Sequence, residues 1–247
     1  EGFTKLFGGE RYAIFRKGNS KECACVHRAT FDTNEVITDL KSQFVGSVHK
    51  GSGIWVNPAF WDSYWDEIAP NQTSHITQLL KSGACTIFDF VGHSLGGAMT
   101  DMSVVHLGQG LLKDKIKDVI RLGNPRTFSH WGLSRKHSCT NFVALATGKV
   151  LRFARVDRDN HDDFDPVVAM PLTWHHCTRE SFLLLSREQQ GNVDPYILGG
   201  VDADTPNDGL FAVDDAIRWL TTLIRDSPSW HNPEGYLRVV QSGDMYV

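Results

Sequence analysis

The sequence predicts an α/β fold built on a largely parallel sheet, and three observations carry that expectation. Short β-rich runs alternate with segments of helical period, the pattern of strand–helix–strand units. One β-rich run enters a serine turn flanked by glycines, from which a helix-compatible segment leaves. No internal repeat and no Pro/Gly/Ser linker interrupts the 247 residues, so a single domain over 1–247 is expected.

The β-rich runs are Arg11–Arg16, Glu22–His27, Thr86–Val91, Ile116–Leu122, Val150–Val156 and Ser181–Ser186. Between them, helical spacing covers Ala59–Ile68, Ser74–Leu80 and Leu95–Leu112. A last helix is expected over Val213–Arg225. Ile217, Leu220 and Ile224 share one face there, Asp214 and Asp215 sit in the first turn, and Arg225 sits in the last, complementing the helix dipole.

Composition narrows the class of partner. Hydrophobic residues make up 41% and charged residues 22%, the balance of a globular chain with a real core. Lys and Arg number 25 against 29 Asp and Glu, and no run of five like charges occurs. Nucleic acid is therefore not an expected partner. Apolar stretches fall far short of the ~20 residues that span a bilayer. The start at Glu1 rather than Met leads to the expectation that an upstream segment was removed. With the sequon Asn71-Gln72-Thr73, expected in a loop, it favours secretion. The five cysteines are Cys23, Cys25, Cys85, Cys139 and Cys177, so at least one is free or pairs between chains. Cys23 and Cys25 share a strand face, as either a redox pair or, in keeping with the burial of free cysteine, core packing.

The chemistry concentrates in Thr86–Ala98, where a β-rich run enters Gly92-His93-Ser94-Leu95-Gly96 and continues as Gly97-Ala98. Strand, sharp turn and helix are the context that G-x-S-x-G requires. The turn lifts the serine hydroxyl above the sheet edge, and side chains two positions either side would collide with neighbouring elements. The helix start also offers free N–H groups and a positive dipole end to a developing anion. Ser94 is the candidate nucleophile, with His93 expected to pack behind it.

Here the sequence resembles the fungal-lipase-like, or class 3, branch of the α/β-hydrolases. Val26-His27-Arg28-Ala29-Thr30 is similar to that family's F-R-G-T/S, and Thr38-Asp39-Leu40 to the D-L that follows. Val48-His49-Lys50-Gly51 resembles its V-H-x-G, and Gly123-Asn124-Pro125-Arg126 its G-x-P-R. Asp165–Pro171 resembles D-x-V-P-x-L-P, and His176–Glu180 resembles H-x-G-x-E. The resemblance implies an α/β-hydrolase fold, a mostly parallel sheet flanked by helices, with a short helical lid.

A serine needs a histidine to take its proton and an acid to orient that histidine. In this superfamily the order is Ser, then Asp or Glu, then His. The resemblance assigns the acid to Asp165, with Asp159 the rival if the loop after Val156 is longer than usual. It assigns the base to His231, in the late loop Ser227–Pro233, and makes the histidine of the His175-His176 block structural. For the oxyanion hole it implies the backbone N–H of Leu95 and that of Thr30. Two departures stand out: Ala29 occupies a usual glycine position and His27 a usual aromatic one.

The acidic loop from Asp157 lacks the glycine and glutamate of a calcium-binding hand, since those positions hold Asp162 and Val168, so it reads as a solvated loop. Adjacent ligands at His175-His176-Cys177 argue against zinc. No cofactor or metal is expected. The resemblance makes Phe31–Leu40 the lid, with an ordinary connecting helix the alternative; Asp32 and Glu35 read as a capping box and Val36, Ile37 and Leu40 as an apolar stripe. The aromatic run Ile54–Trp65 either lines an acyl cleft or packs in the core. The resemblance thus implies a lipid ester as substrate, met at a lipid–water interface with transient surface contact. A small or aromatic ester, or a non-catalytic binding role, is the alternative.

Overall fold

The computed structural model describes residues 2–29, 48–129, 132–157, 174–186 and 195–199. Among these residues the main sheet has eight strands. They are β1 (Phe3–Gly8), β2 (Tyr12–Lys17), β3 (Glu22–His27), β6 (Ile87–His93), β7 (Ile116–Leu122), β9 (Val150–Asp157), β11 (Glu180–Ser186) and β12 (Pro195–Gly199), in the order β1-β2-β3-β6-β7-β9-β11-β12. The central run from β3 to β11 is parallel throughout, while β1, β2 and β12 add antiparallel edges. A small antiparallel sheet joins β4 (Val48–His49), β5 (Trp55–Val56), β8 (Phe128–Ser129) and β10 (Trp174–His175).

Among the described residues, four helices accompany the sheets: α1 (Pro58–Glu67), α2 (Ala69–Ser82), α3 (Leu95–Gly108) and α4 (Gly132–Val143). Each begins or ends for a local reason. Asn57 caps α1, its side chain accepting from the Ala59 N–H at 3.0 Å, and Pro58 occupies the first turn, where its missing N–H is no loss. Gly83 ends α2 in the left-handed region at φ 67°, its N–H closing back on the last turn.

Two expectations about elements are corrected. The helix expected from Ser74 begins at Ala69, so the sequon lies in its first turns rather than in a loop, with Gln72 fully buried. The reason is that Pro70 fits the first turn of a helix as readily as a loop. The helix expected to reach Leu112 stops at Gly108, next to Gln109-Gly110, where glycine weakens helical continuation.

The core explains the order of layers. Along β3, Cys23, Cys25 and His27 face inward, opposite Phe88, Phe90 and Gly92 of β6. Helix α3 lies on this face, against β3, β6 and β7 and beneath α1. Thirteen of its residues are buried and only His106 is not, the profile of a helix enclosed on all sides. In the aromatic run, Phe60, Trp61 and Tyr64 are buried core residues, while Trp65 remains 41% exposed. Disulfides join Cys23 to Cys85 and Cys139 to Cys177, and Cys25 is free and buried. A Cys23–Cys25 redox pair is thereby excluded, because Cys23 is bonded to Cys85, ahead of β6.

Candidate active site

The carboxyl ends of the parallel strands meet at one edge. His27 pairs with Gly92, His93 with Leu122, and Leu122 with Phe153, so β3, β6, β7 and β9 discharge their loops side by side. Ligands of open α/β sheets bind outside this edge, where backbone groups and loop residues converge.

Ser94 stands at that edge, as the single residue between β6 and α3. Its backbone is at φ 57°, ψ −131°, a conformation that a side-chain-bearing residue adopts only at a cost. The strain is held from both sides: the Ser94 N–H donates to Leu122 O at 2.9 Å, and the Ser94 carbonyl accepts from the Gly97 N–H at 2.8 Å. Leu95 opens α3, and the Leu95 and Gly96 N–H groups come too early in the helix to find an acceptor within it. An anion at this point gains both those donors and the positive end of the dipole.

The glycines make the turn sterically feasible. A Cβ on Gly92 would strike the Gly96 carbonyl and lie 2.6 Å from Thr100 Oγ1. A Cβ on Gly96 would strike the His27 carbonyl and lie 2.8 Å from Arg28 C. A Cβ on Gly97 would strike the Asn124 side chain. The chain leaving β3 therefore runs directly against the start of α3, and Asn124, beyond β7, closes the other side. Asn124 is buried, its Nδ2 donating to Pro125 O at 3.0 Å.

Beneath the turn lies a buried charged layer that the sequence did not signal. Arg121 of β7 reaches Asp101 of α3 at 3.0 Å, and Thr127 Oγ1 donates to the second Asp101 oxygen at 2.6 Å. Desolvation lifts the Asp101 carboxyl to about 6, against the pull of Arg121. Asp101 and Arg121 are 20 residues apart and have no motif spacing, so only the fold pairs them.

Of the sequence-expected site residues, Ser94 and Leu95 are placed side by side at the sheet edge. Thr30, the lid segment 31–40, Asp159, Asp165, His231 and the helix expected over Val213–Arg225 lie outside the described residues. His93 is half-buried, while His175 and His176 are fully buried. Among the described residues, Cys139, His175 and Cys177 are grouped closely enough to hold a metal, but the two sulfurs are bonded to each other and are not thiolate ligands here.

The family model described as Lipase (class 3) matches residues 24–155. Among solved structures, Rhizomucor miehei triacylglyceride lipase aligns with a TM-score of 0.63 at 17% identity, over 86% of this chain and 78% of that one. Lipase II from Rhizopus niveus aligns with a TM-score of 0.61 at 16% identity, over 86% and 77%. The chain spans 62% of one Rhizomucor miehei lipase propeptide complex and 58% of another. At these identities the likeness establishes the fold. No curated protein sequence matches.

Proposed function

Since the chain belongs to the class 3 lipase family, we propose that it is a serine hydrolase of carboxylic lipid esters, an acylglycerol or phospholipid hydrolase acting through an acyl-enzyme. The observation that carries this reading is Ser94 held at φ 57° on the carboxyl edge of the parallel sheet, directly before the N-terminus of α3.

In this mechanism Ser94 Oγ attacks the ester carbonyl carbon while His231 accepts its proton. Asp165 orients the imidazole and balances its charge. The carbonyl oxygen becomes an oxyanion, stabilised by the N–H groups of Leu95 and Thr30, each such donor being worth on the order of 10²–10³ in rate. Collapse of the tetrahedral species expels the alcohol, which takes the proton from His231. Water, activated by the same histidine, then releases the acid and restores Ser94. β9 runs toward the edge that carries Ser94 and ends at Asp157, which supports an acid drawn from the residues that follow it in the sequence.

The reading extends to a lipid–water interface, with segment 31–40 as the covering helix, and to secretion. Two disulfides among the described residues support an oxidising compartment. The test compares wild type and Ser94→Ala on p-nitrophenyl butyrate and p-nitrophenyl palmitate. Hydrolysis that vanishes in the variant and favours palmitate upholds the lipid reading. Preference for butyrate moves the substrate to small esters, and hydrolysis that survives in the variant overturns the serine mechanism.

A further inference from the structure

His27, the last residue of β3, has its side chain buried against α3. Gln72 Nε2 lies 2.8 Å from His27 Nε2, and because an amide nitrogen only donates, His27 Nε2 is the acceptor and the ring proton sits on Nδ1. That Nδ1–H meets Thr100 Oγ1 at 2.9 Å. Ser103 Oγ lies 2.9 Å from His27 Nε2 and 3.0 Å from Gln72 Oε1. Behind them, Tyr64 OH joins Gln72 Oε1 at 3.1 Å to His106 Nδ1 at 2.9 Å. Burial pushes the His27 imidazole down to about 3, so the ring stays neutral and keeps this tautomer at neutral pH.

The backbone leaving His27 is held as closely as its ring. The Arg28 N–H donates to Arg11 O at 2.9 Å, and the His27 and Arg28 carbonyls press on Gly96, where no Cβ fits. Thr100, Ser94 and Leu95 ride on one rigid segment, the turn and helix α3.

We propose that His27 is a positioning residue, its ring tying the end of β3 to α3 and so fixing the His27–Arg28 backbone, which leads in sequence to Thr30, against the start of α3 at Leu95 and Gly96. The inference rests on the hydrolase reading above, in which the N–H groups of Leu95 and Thr30 hold the oxyanion. A displacement of about 1 Å in such a donor is enough to cost on the order of 10² in rate. A hydrocarbon ring at position 27 would leave Thr100, Gln72 and Ser103 without this partner, so the clamp is a property of this chain's histidine.

The test uses Thr100→Val, His27→Leu and His27→Asn, the last restoring a donor near the position of Nδ1. Active sites are counted by stoichiometric release of p-nitrophenol from a p-nitrophenyl phosphonate. Hydrolysis of p-nitrophenyl butyrate is then compared with that of its thionoester, whose larger, weakly accepting sulfur uses the hole poorly. For Thr100→Val and His27→Leu the expected result is a fall of roughly ten-fold in kcat per titrated site on the oxoester, partial loss of one donor's worth. KM and the thionoester rate stay within about two-fold, and His27→Asn recovers part of the loss. If both esters slow together, or only the melting temperature falls while kcat per site holds, His27 is packing alone and the proposal is overturned. If wild-type hydrolysis persists in Ser94→Ala, the hydrolase reading itself fails and takes the clamp's role with it.

Discussion

Arg121 Nη1 donates to Asp101 Oδ1 at 3.0 Å with both side chains completely buried, and Arg121 Nη2 donates to the Cys177 carbonyl at 2.6 Å. One guanidinium thus joins the helix behind Ser94 to the segment stapled by the Cys139–Cys177 disulfide. Arg121→Met removes the counter-charge from a buried carboxylate and is expected to cost about 3–5 kcal/mol near pH 7. Because burial raises the Asp101 carboxyl to about 6, the folded state holds that proton more tightly than the unfolded chain. Its contribution is fully present below about pH 4 and lost as pH rises through about 6. The cost of Arg121→Met therefore shrinks toward acid, as the stranded carboxylate takes up a proton. Urea midpoints at about pH 4.5 and pH 7 check the sign; equal losses at both would contradict it.

Ser94→Gly is expected to stabilise the fold by about 1 kcal/mol, because glycine accepts φ 57° without the Cβ penalty. Ser94→Ala keeps the Cβ and the strain, so it loses the hydroxyl without that gain. Thermal melts of the two variants separate the effects; a Gly variant no more stable than the Ala variant would mean that the turn stores no strain.

Gly92→Ala and Gly97→Ala place a Cβ against the Gly96 carbonyl and the Asn124 side chain, and both are expected to prevent soluble folding or cost several kcal/mol. Gly110→Ala meets nothing within 4 Å and is expected to stabilise by about 0.4–1 kcal/mol through the unfolded state. Urea denaturation of all three is the measurement, and tolerance of Gly92→Ala would refute the close approach.

The native protein is expected to give no thiol reaction with Ellman's reagent, and one thiol after unfolding without reductant. Four cysteines are bonded, and Cys25 is buried with its thiol pushed up to about 12. Opening the Cys23–Cys85 link by serine substitution is expected to cost about 4 kcal/mol, from the loop entropy of a 62-residue separation. Rapid labelling of the folded protein would contradict the pairing.

Asp165→Ala is expected to lower kcat/KM on p-nitrophenyl butyrate by about 10³-fold or more, and Asp159→Ala by less than about ten-fold. The reverse order would move the acid to Asp159.

The turn around Ser94 was legible from residues 86–98 because its constraint is local. A strand, two glycines and a helix start must follow one another within a few residues, and a sequence records such an order directly. The same holds for β3, β6, β7 and β9, whose β-rich runs are short and separated by helical spacing. Legibility failed where proline and glycine admit two meanings, as at the start of α2 and the end of α3.

The sequence by itself determined the strand–turn–helix element, the α/β class and the small residues that the turn demands. Tertiary structure alone decided that Cys23 bonds Cys85 rather than facing Cys25 as a partner. It also decided that Arg121 neutralises Asp101 and that His27 meets Gln72 and Thr100, residues 45 and 73 positions away. The physical reason is range: backbone conformation and side-chain volume act on chain neighbours, whereas bonds, charges and hydrogen bonds act across space, and only the packed sheet brings distant residues within reach.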